Sequence, residues 1–551
     1  MPLDFGAYSS KVCTADNAVT TVQSGSHVFV GTACATPRLL LGALEALSTP
    51  PRDVTILSFL TDAALPLSEG KTITNYNHKC FFVGTEMRNA IQQGVAEYIP
   101  ISLAELPRHI KSGRFPIEVA LVQVSAPDRN GFVSLGVSVD ITLIAARYAK
   151  KIIAEINPNM PFTFGESAMH LSRFDKLVVN NSPIYEYTHP PADDVAEQIA
   201  SYVAGIINDE STIQIGLGRI PNAMVQYLFD RRDLGIHTDV ITDWILDLIE
   251  KGVITGRKKT LSPDKVVTSY CMGSKRLYDF IHLNPLFEFR PIDYICDPFI
   301  ISKNHRMVSI SQAFAVDLTG QVCSDQLCGQ FYGGVSTQPE FLRGAARSPG
   351  GKPIICLRST TEDGKESLIR PQLLQGEGVG ISRADVHYVV TEYGLAYLFG
   401  KSIRQRAISL IEIAAPKFRP WLLECAKQMG YLPAQQTLRS DKPYFIKEER
   451  TVVLRNGETV SLRPSRASDS EAILELFHTL SEEDIYMRFF QRLRTLTFDQ
   501  TQQLCDVNLE TEAAFIAAVG ERENERIIGS SCYFLNLSTN VAEAGFMVSV
   551  L

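Results

Sequence analysis

Several things are scarce in this chain, and each shortage excludes a class of function. Of 551 residues, 53 are Lys or Arg against 61 Asp or Glu, a formal net charge of −8. That balance leaves no basic footprint for nucleic acid, and no Lys/Arg run is long enough to seek an acidic membrane surface. No segment approaches the ~18 apolar residues of a spanning helix. The opening MPLDFGAYSSKVC lacks a basic stretch followed by an apolar one, so export is not expected. The eleven cysteines are odd in number, scattered from Cys13 to Cys532 and never spaced C-x-x-C. Neither a disulfide framework nor a zinc site is indicated, and reduced thiols in a cytoplasmic setting are expected. Short internal repeats and low-complexity tracts are also missing. A small molecule is the expected partner.

What the chain has is apolar residues, 45% of the total, and enough length for roughly three to four domains. Short β-branched runs alternate with helical periods, as in HVFV before PRLLLGALEAL, or EVALVQVSA before ITLIAARYAK. That rhythm predicts α/β layers with a mostly parallel sheet. It lapses at VVNNSPIYEYTHPPADD, where Asn, Pro and Asp cluster, and restarts with VAEQIASYVAGII and TIQIGLG. A boundary near residue 190 follows, giving units over 1–190 and 191–430. A polar connection, 431–449, precedes a change of texture, and ETVSLRPSRASDSEAILELFHTL opens a third unit over 450–551 as a strand and a capped amphipathic helix.

Three motifs invite chemistry. TIQIGLGRIPNAM places Gly216 and Gly218 between a strand and a helix, where backbone N–H groups can face a phosphate. A dinucleotide fingerprint would need a third glycine where Pro221 stands, so a nicotinamide site is rejected. The residues alone leave a simple tight turn as the other reading. In LGIHTDVITDW, Thr242 or Asp243 suits the cap of the helix WILDLIEKG, and His237 reads as a packed histidine. Asp239 lies outside the cap position among apolar neighbours, where an unpaired carboxylate is expensive. FYGGVSTQPEF offers Gly333 and Gly334 and a row of N–H groups able to line an oxyanion hole; a polar surface loop is its plainer reading.

Long ordered words then carry a resemblance across residues 20–430. They include VALVQVSAPDRNGFVSLGVSVD, IGLGRIPNAM, LGIHTDVITD, VSISQAFAVDLTGQVCSD, FLRGAARSPGGKPI and RADVHYVVTEYGLAYLFGKS. The chain resembles the acetyl-CoA hydrolase/CoA-transferase family, in the branch of acetate, succinate and 4-hydroxybutyrate CoA-transferases. The resemblance implies two similar open α/β domains with the active site at their junction, acting on acyl-CoA and a small carboxylate, in a homo-oligomer. It implies no metal and no cofactor beyond coenzyme A as substrate. In that family a glutamate attacks the thioester, and the position matching it is Asp239. The phosphate turn falls on Gly216, Leu217, Gly218, Arg219 and Ile220, and the oxyanion loop on Gly333, Gly334, Val335, Ser336 and Thr337. Two family glycines are replaced by Ser336 and Thr337, and a third by Trp244.

Loss of one methylene withdraws the carboxylate by about 1 to 1.5 Å, enough to cost on the order of a hundredfold in rate. Three outcomes therefore stand open: transfer through an Asp239 nucleophile, hydrolysis with Asp239 as general base, or an acyl-CoA-binding regulatory protein. The third unit resembles the start of a GNAT acetyltransferase, an α+β fold. The chain stops at Leu551, before that family's phosphate-binding turn, so N-acetyl transfer is not expected.

Overall fold

A computed structural model describes residues 3–61, 76–327, 329–439, 449–508 and 511–549. Two parallel sheets dominate it. The first has seven strands, in the order Ala96–Tyr98, Asn77–Cys80, Thr55–Ser58, His27–Val30, Val119–Val124, Lys151–Ile156, Lys176–Val179. The strand Val119–Val124 is buried at all six positions, because helices cover both faces; that is why it reads as a continuous apolar run.

The second sheet has eight strands: Phe287–Phe289, Val266–Thr268, Gly235–His237, Thr212–Ile215, Met307–Gln312, Lys352–Cys356, Tyr388–Thr391 and Gly394–Tyr397. Only the final pair is antiparallel. Both sheets wind alike: the first strand in sequence sits in the middle, the next three are added on one side and the rest on the other. Each sheet therefore reverses direction once, beside His27–Val30 in the first and beside Thr212–Ile215 in the second. In such open sheets the crevice at the carboxyl ends of the strands, at the reversal, is where ligands sit.

The two halves interlock. Val83 pairs with Gly333, Ser138 with Tyr270 and Gly165 with Phe289, and one hydrophobic core runs from Phe29 to Leu395 across both. Among the described residues no helix is long and apolar enough to cross a membrane.

The third unit is a five-stranded antiparallel sheet running from Arg450–Val453 to Val541–Val548. Helices Ser470–His478, Glu482–Phe489 and Phe498–Cys505 accompany it, and Ile473, Phe477, Ile516 and Met547 form its core. The helix cap expected here is not made by a side chain. Asp469 stands at the N-cap of Ser470–His478 without capping it, because its carboxylate is taken by the Arg463 guanidinium in two 2.9 Å hydrogen bonds. This unit docks on the second sheet's layer: Ser468 donates twice to Glu412, and the Tyr388 hydroxyl donates to Glu523. The connection 431–449 lies partly outside the described residues. Within its first part Thr437 and Arg439 bond to Asp506 of the third unit.

Candidate active site

The strand Thr212–Ile215 runs into Gly216–Gly218 and then into the helix Arg219–Leu228. Gly218 stands at the N-cap with φ +127° and ψ −173°, a region open only to glycine. The neighbouring Gln312 amide donates to the Leu217 carbonyl at 2.9 Å and closes the turn from behind. The positive end of the helix dipole points toward the reversal crevice, as anion binding requires. Arg219 is not a free clamp: its guanidinium pairs with Asp193 at 3.2 Å and Glu362 at 3.1 Å.

Asp239 lies just past the strand Gly235–His237, next to the strand that feeds the glycine turn. Its main-chain carbonyl accepts from the N–H groups of Ser269 and Tyr270, so the backbone is fixed. Its side chain is only 6% exposed. The Thr337 hydroxyl donates to Oδ2 at 2.7 Å, and the Thr238 hydroxyl lies 3.3 Å from Oδ1 but closer to the Val240 carbonyl. Burial pushes the Asp239 carboxyl upward from the usual carboxylate range; hydrogen bonds from Thr337, the local backbone and the Gln214 amide pull part of the way back. The expense of burying this carboxylate is thus met by donors from three separate segments.

His237 is packed. Its Nε2–H donates to the Ile295 carbonyl at 2.9 Å, and burial, with Lys259 nearby, lowers its pKa to about 3, so it is neutral and its one ring proton is committed to the backbone. Its ring meets Phe341 edge-on, which ties this strand to the helix that carries Thr337. Lys259 was not singled out by sequence. Its Nζ donates to the carbonyls of Ile236 and Lys265 at 2.8 and 3.0 Å, and burial brings its pKa down to about 7.

The expected oxyanion loop is only partly available. Gly333, at φ +109°, gives both its N–H and its carbonyl to Val83 of the first half. Val335 N–H donates to the Tyr98 hydroxyl at 3.2 Å. The Gly334, Ser336 and Thr337 N–H groups make no such bond among the described residues. Ser336 takes φ +54°, the left-handed conformation that glycine would adopt more cheaply, and its carbonyl accepts from Leu103.

The helix Trp244–Glu250 begins without the side-chain cap expected of it. The Asp243 carboxylate accepts instead from the N–H and hydroxyl of Ser274, and Thr242 bonds His189 at 2.7 Å. Trp244 is 4% exposed, and its indole N–H has no partner among the described residues. Among the described residues no group of three or more His, Cys, Asp or Glu could hold a metal ion.

Gln214, Gln312 and Tyr98 complete the surroundings, and sequence reasoning missed all three. A lone amide inside the buried strand TIQI was the one signal available for Gln214.

Comparison with known proteins places this architecture. Residues 6–186 match the acetyl-CoA hydrolase/transferase N-terminal domain, and residues 273–426 match the C-terminal domain of the same name. The 4-hydroxybutyrate coenzyme A transferase of Clostridium kluyveri is 42% identical over 416 residues, 76% of this chain and 97% of that protein. A succinyl-CoA:acetate/propanoyl-CoA:succinate CoA transferase of Fasciola hepatica is 36% identical over 76% of this chain and 88% of its own. Among solved structures, RipA from Yersinia pestis aligns with TM-score 0.72 at 35% identity, over 77% of this chain and 98% of that one. The 4-hydroxybutyrate CoA-transferase of Porphyromonas gingivalis aligns over the same shares with TM-score 0.64 at 38% identity. Matched domains, the likeness over nearly the full length of these relatives and the paired doubly wound sheets lead to one conclusion: the chain belongs to the acetyl-CoA hydrolase/transferase family.

Proposed function

We propose that this enzyme moves CoA from a small acyl-CoA of the acetyl class to a carboxylate acceptor, with Asp239 as the nucleophile. The observation that carries the reading is convergence. Gln214, from the strand that leads into the glycine turn, and Thr337, from the loop, both meet the one buried carboxylate.

The chemistry needs no cofactor beyond CoA as substrate. An Asp239 oxygen attacks the thioester carbon, the C–S bond breaks and CoA thiolate leaves, giving an acyl-aspartyl anhydride. The thiolate then attacks the Asp239 carbonyl and expels the donor acid as its carboxylate, leaving an aspartyl-CoA thioester. An acceptor carboxylate repeats both steps in reverse order, takes CoA and frees Asp239. In this scheme the backbone of Gly216 to Ile220 holds the CoA phosphates, and the N–H groups of Gly334, Ser336 and Thr337, unbonded among the described residues, face the thioester oxygen. Relatives named for transfer between acyl-CoA and carboxylates support the choice of acceptor.

A second reading, hydrolysis with Asp239 as general base, draws on the upward displacement of its pKa, which suits a group that takes a proton from water. The third unit is read as GNAT-like from its strand, paired helices and antiparallel strands. A cytoplasmic homo-oligomer completes the proposal.

The test incubates the protein with acetyl-CoA, with and without propionate, and follows free thiol and propionyl-CoA. Propionyl-CoA lost in Asp239→Ala, with an aspartyl-CoA adduct trapped by borohydride, supports transfer. Thiol release alone, lost in that variant, means hydrolysis. Tight CoA binding without either product, unchanged in the variant, means a binding protein.

A further inference from the structure

Thr337 occupies the N-cap of the helix Gln338–Arg347, yet its side chain makes no capping hydrogen bond. A threonine in that place ordinarily accepts from a backbone N–H of the first turn, worth about 1 kcal/mol. This one turns away. A hydroxyl has a single proton to donate, and Thr337 donates it to Asp239 Oδ2. The residue is 2% exposed, so water does not compete for that bond.

Where the hydroxyl stands is decided by both halves of the molecule: His237 and Gln312 of its own half hold the helix behind it, and three anchors of the loop come from the first half. Val83 exchanges two backbone hydrogen bonds with Gly333, Tyr98 accepts from the Val335 N–H, and the Leu103 N–H donates to the Ser336 carbonyl at 3.0 Å. The Tyr98 ring also packs on Phe331, with ring centres 5.2 Å apart. Between these anchors Ser336 is held at φ +54°, a conformation a serine avoids unless its surroundings fix it.

We propose that Thr337 is a positioning residue for Asp239: its hydroxyl orients the carboxylate and holds it in the charged form, and the first half of the chain seats that hydroxyl through Val83, Tyr98 and Leu103. The inference rests on Asp239 being the reacting carboxylate.

The other titratable groups facing this site do not blur a pH readout. Tyr270 and Cys296 feel the Asp239 charge, but burial drives both far upward and keeps them neutral. Burial raises the carboxyl of Asp140, which also faces Tyr270, against hydrogen bonds from Thr32, Ser138 and Thr142; like Lys259, it is present in every variant. His237 is neutral above a pKa of about 3. Burial brings the pKa of Lys259 down to about 7 with Glu288 nearby, and among the described residues its Nζ bonds the backbone carbonyls of Ile236 and Lys265. Its effect is common to every variant and cancels in their comparison.

The experiment measures pH profiles of kcat/KM for transfer from acetyl-CoA to propionate in wild type, Thr337→Val, Thr337→Ser and Tyr98→Phe, with Asp239→Asn as control. Thr337→Val keeps the shape and loses the donor. Its acid limb is expected to move up by about one pH unit, and kcat/KM at a fixed pH well below the limb to fall roughly tenfold. KM for acetyl-CoA should change by less than about threefold, because binding in the ground state is untouched. Thr337→Ser restores the wild-type limb, and Tyr98→Phe moves it in the same direction by less. Infrared difference spectra of each form against its Asp239→Asn counterpart read the same carboxyl shift without turnover. If Asp239→Asn is inactive while Thr337→Val keeps the wild-type limb and infrared titration, the inference fails and the nucleophile reading survives. Equal impairment of the valine and serine variants also overturns it. An active Asp239→Asn removes the nucleophile reading and this inference with it. Should Thr337→Val not fold, Tyr98→Phe decides, and an unmoved limb there is a refutation.

Discussion

Replacing Gly218 with alanine separates what the glycine turn does for the fold from what it does for a ligand. At φ +127° and ψ −173° an L-residue is held in a region that costs about 1–3 kcal/mol. The new Cβ would lie 2.6 Å from Gln312 Nε2, closer than atoms tolerate, so the amide must swing away and surrender its bond to the Leu217 carbonyl. That adds about 1 kcal/mol, for a total of roughly 2–4 kcal/mol. Gly216 is the internal control: its φ is not in the left-handed range, and a Cβ there meets nothing within 4 Å. Differential scanning calorimetry should show Gly218→Ala melting well below wild type and Gly216→Ala melting with it. Titration calorimetry with CoA should show both weakened, Gly218→Ala by tenfold or more, since about 1.4 kcal/mol is a factor of ten. Wild-type melting of Gly218→Ala would refute the conformational reasoning. Wild-type affinity in Gly216→Ala would refute close approach of CoA to this turn.

Arg219→Ala should alter CoA affinity by less than about threefold, because that guanidinium is already committed to exposed ion pairs of little worth; titration calorimetry checks it. Lys259 carries a pH dependence of known sign. Its pKa is about 7 in the fold and about 10.4 in an unfolded chain, so between those values the unfolded state binds more protons and stability rises with pH. Urea melts should gain up to about 1.4 kcal/mol per pH unit from pH 7 to 9 in wild type, a slope absent from Lys259→Met; equal slopes would contradict it. Asp469→Asn strands the buried Arg463 with Glu525 alone and should cost the third unit about 3 kcal/mol, seen as faster amide exchange over 459–549. Burial would raise the Asp469 carboxyl, but Arg463 more than offsets this and holds it low. Its stabilisation is therefore complete above about pH 4 and is lost as pH falls through its folded value.

Much of the architecture was legible in the chain. Strands covered on both faces must be apolar along their whole length, so EVALVQVSA and TIQI announced parallel sheets, and the periodic segments between them announced the covering helices. Caps were the least legible feature. Asp243 and Asp469 both have the residue type and place of an N-cap, yet each spends its carboxylate elsewhere, on Ser274 and on Arg463. A local pattern cannot register a stronger partner brought in by the fold, and a guanidinium or a pair of donors outcompetes a single helix N–H.

The chain by itself determined that α/β layers with mostly parallel sheet would form, that a glycine turn would lie between a strand and a helix, and that Asp239 would be an expensive carboxylate in apolar company; the double winding and the reversal beside that turn appear only in the fold. Tertiary structure decided who meets it. Thr337 is 98 residues away in sequence, and the loop that delivers it is fastened to Val83, Tyr98 and Leu103 in the other half. Hydrogen-bond partners separated by such distances are set by the order in which strands are laid beside one another. No spacing rule in the sequence encodes that order at the resolution of a single hydroxyl.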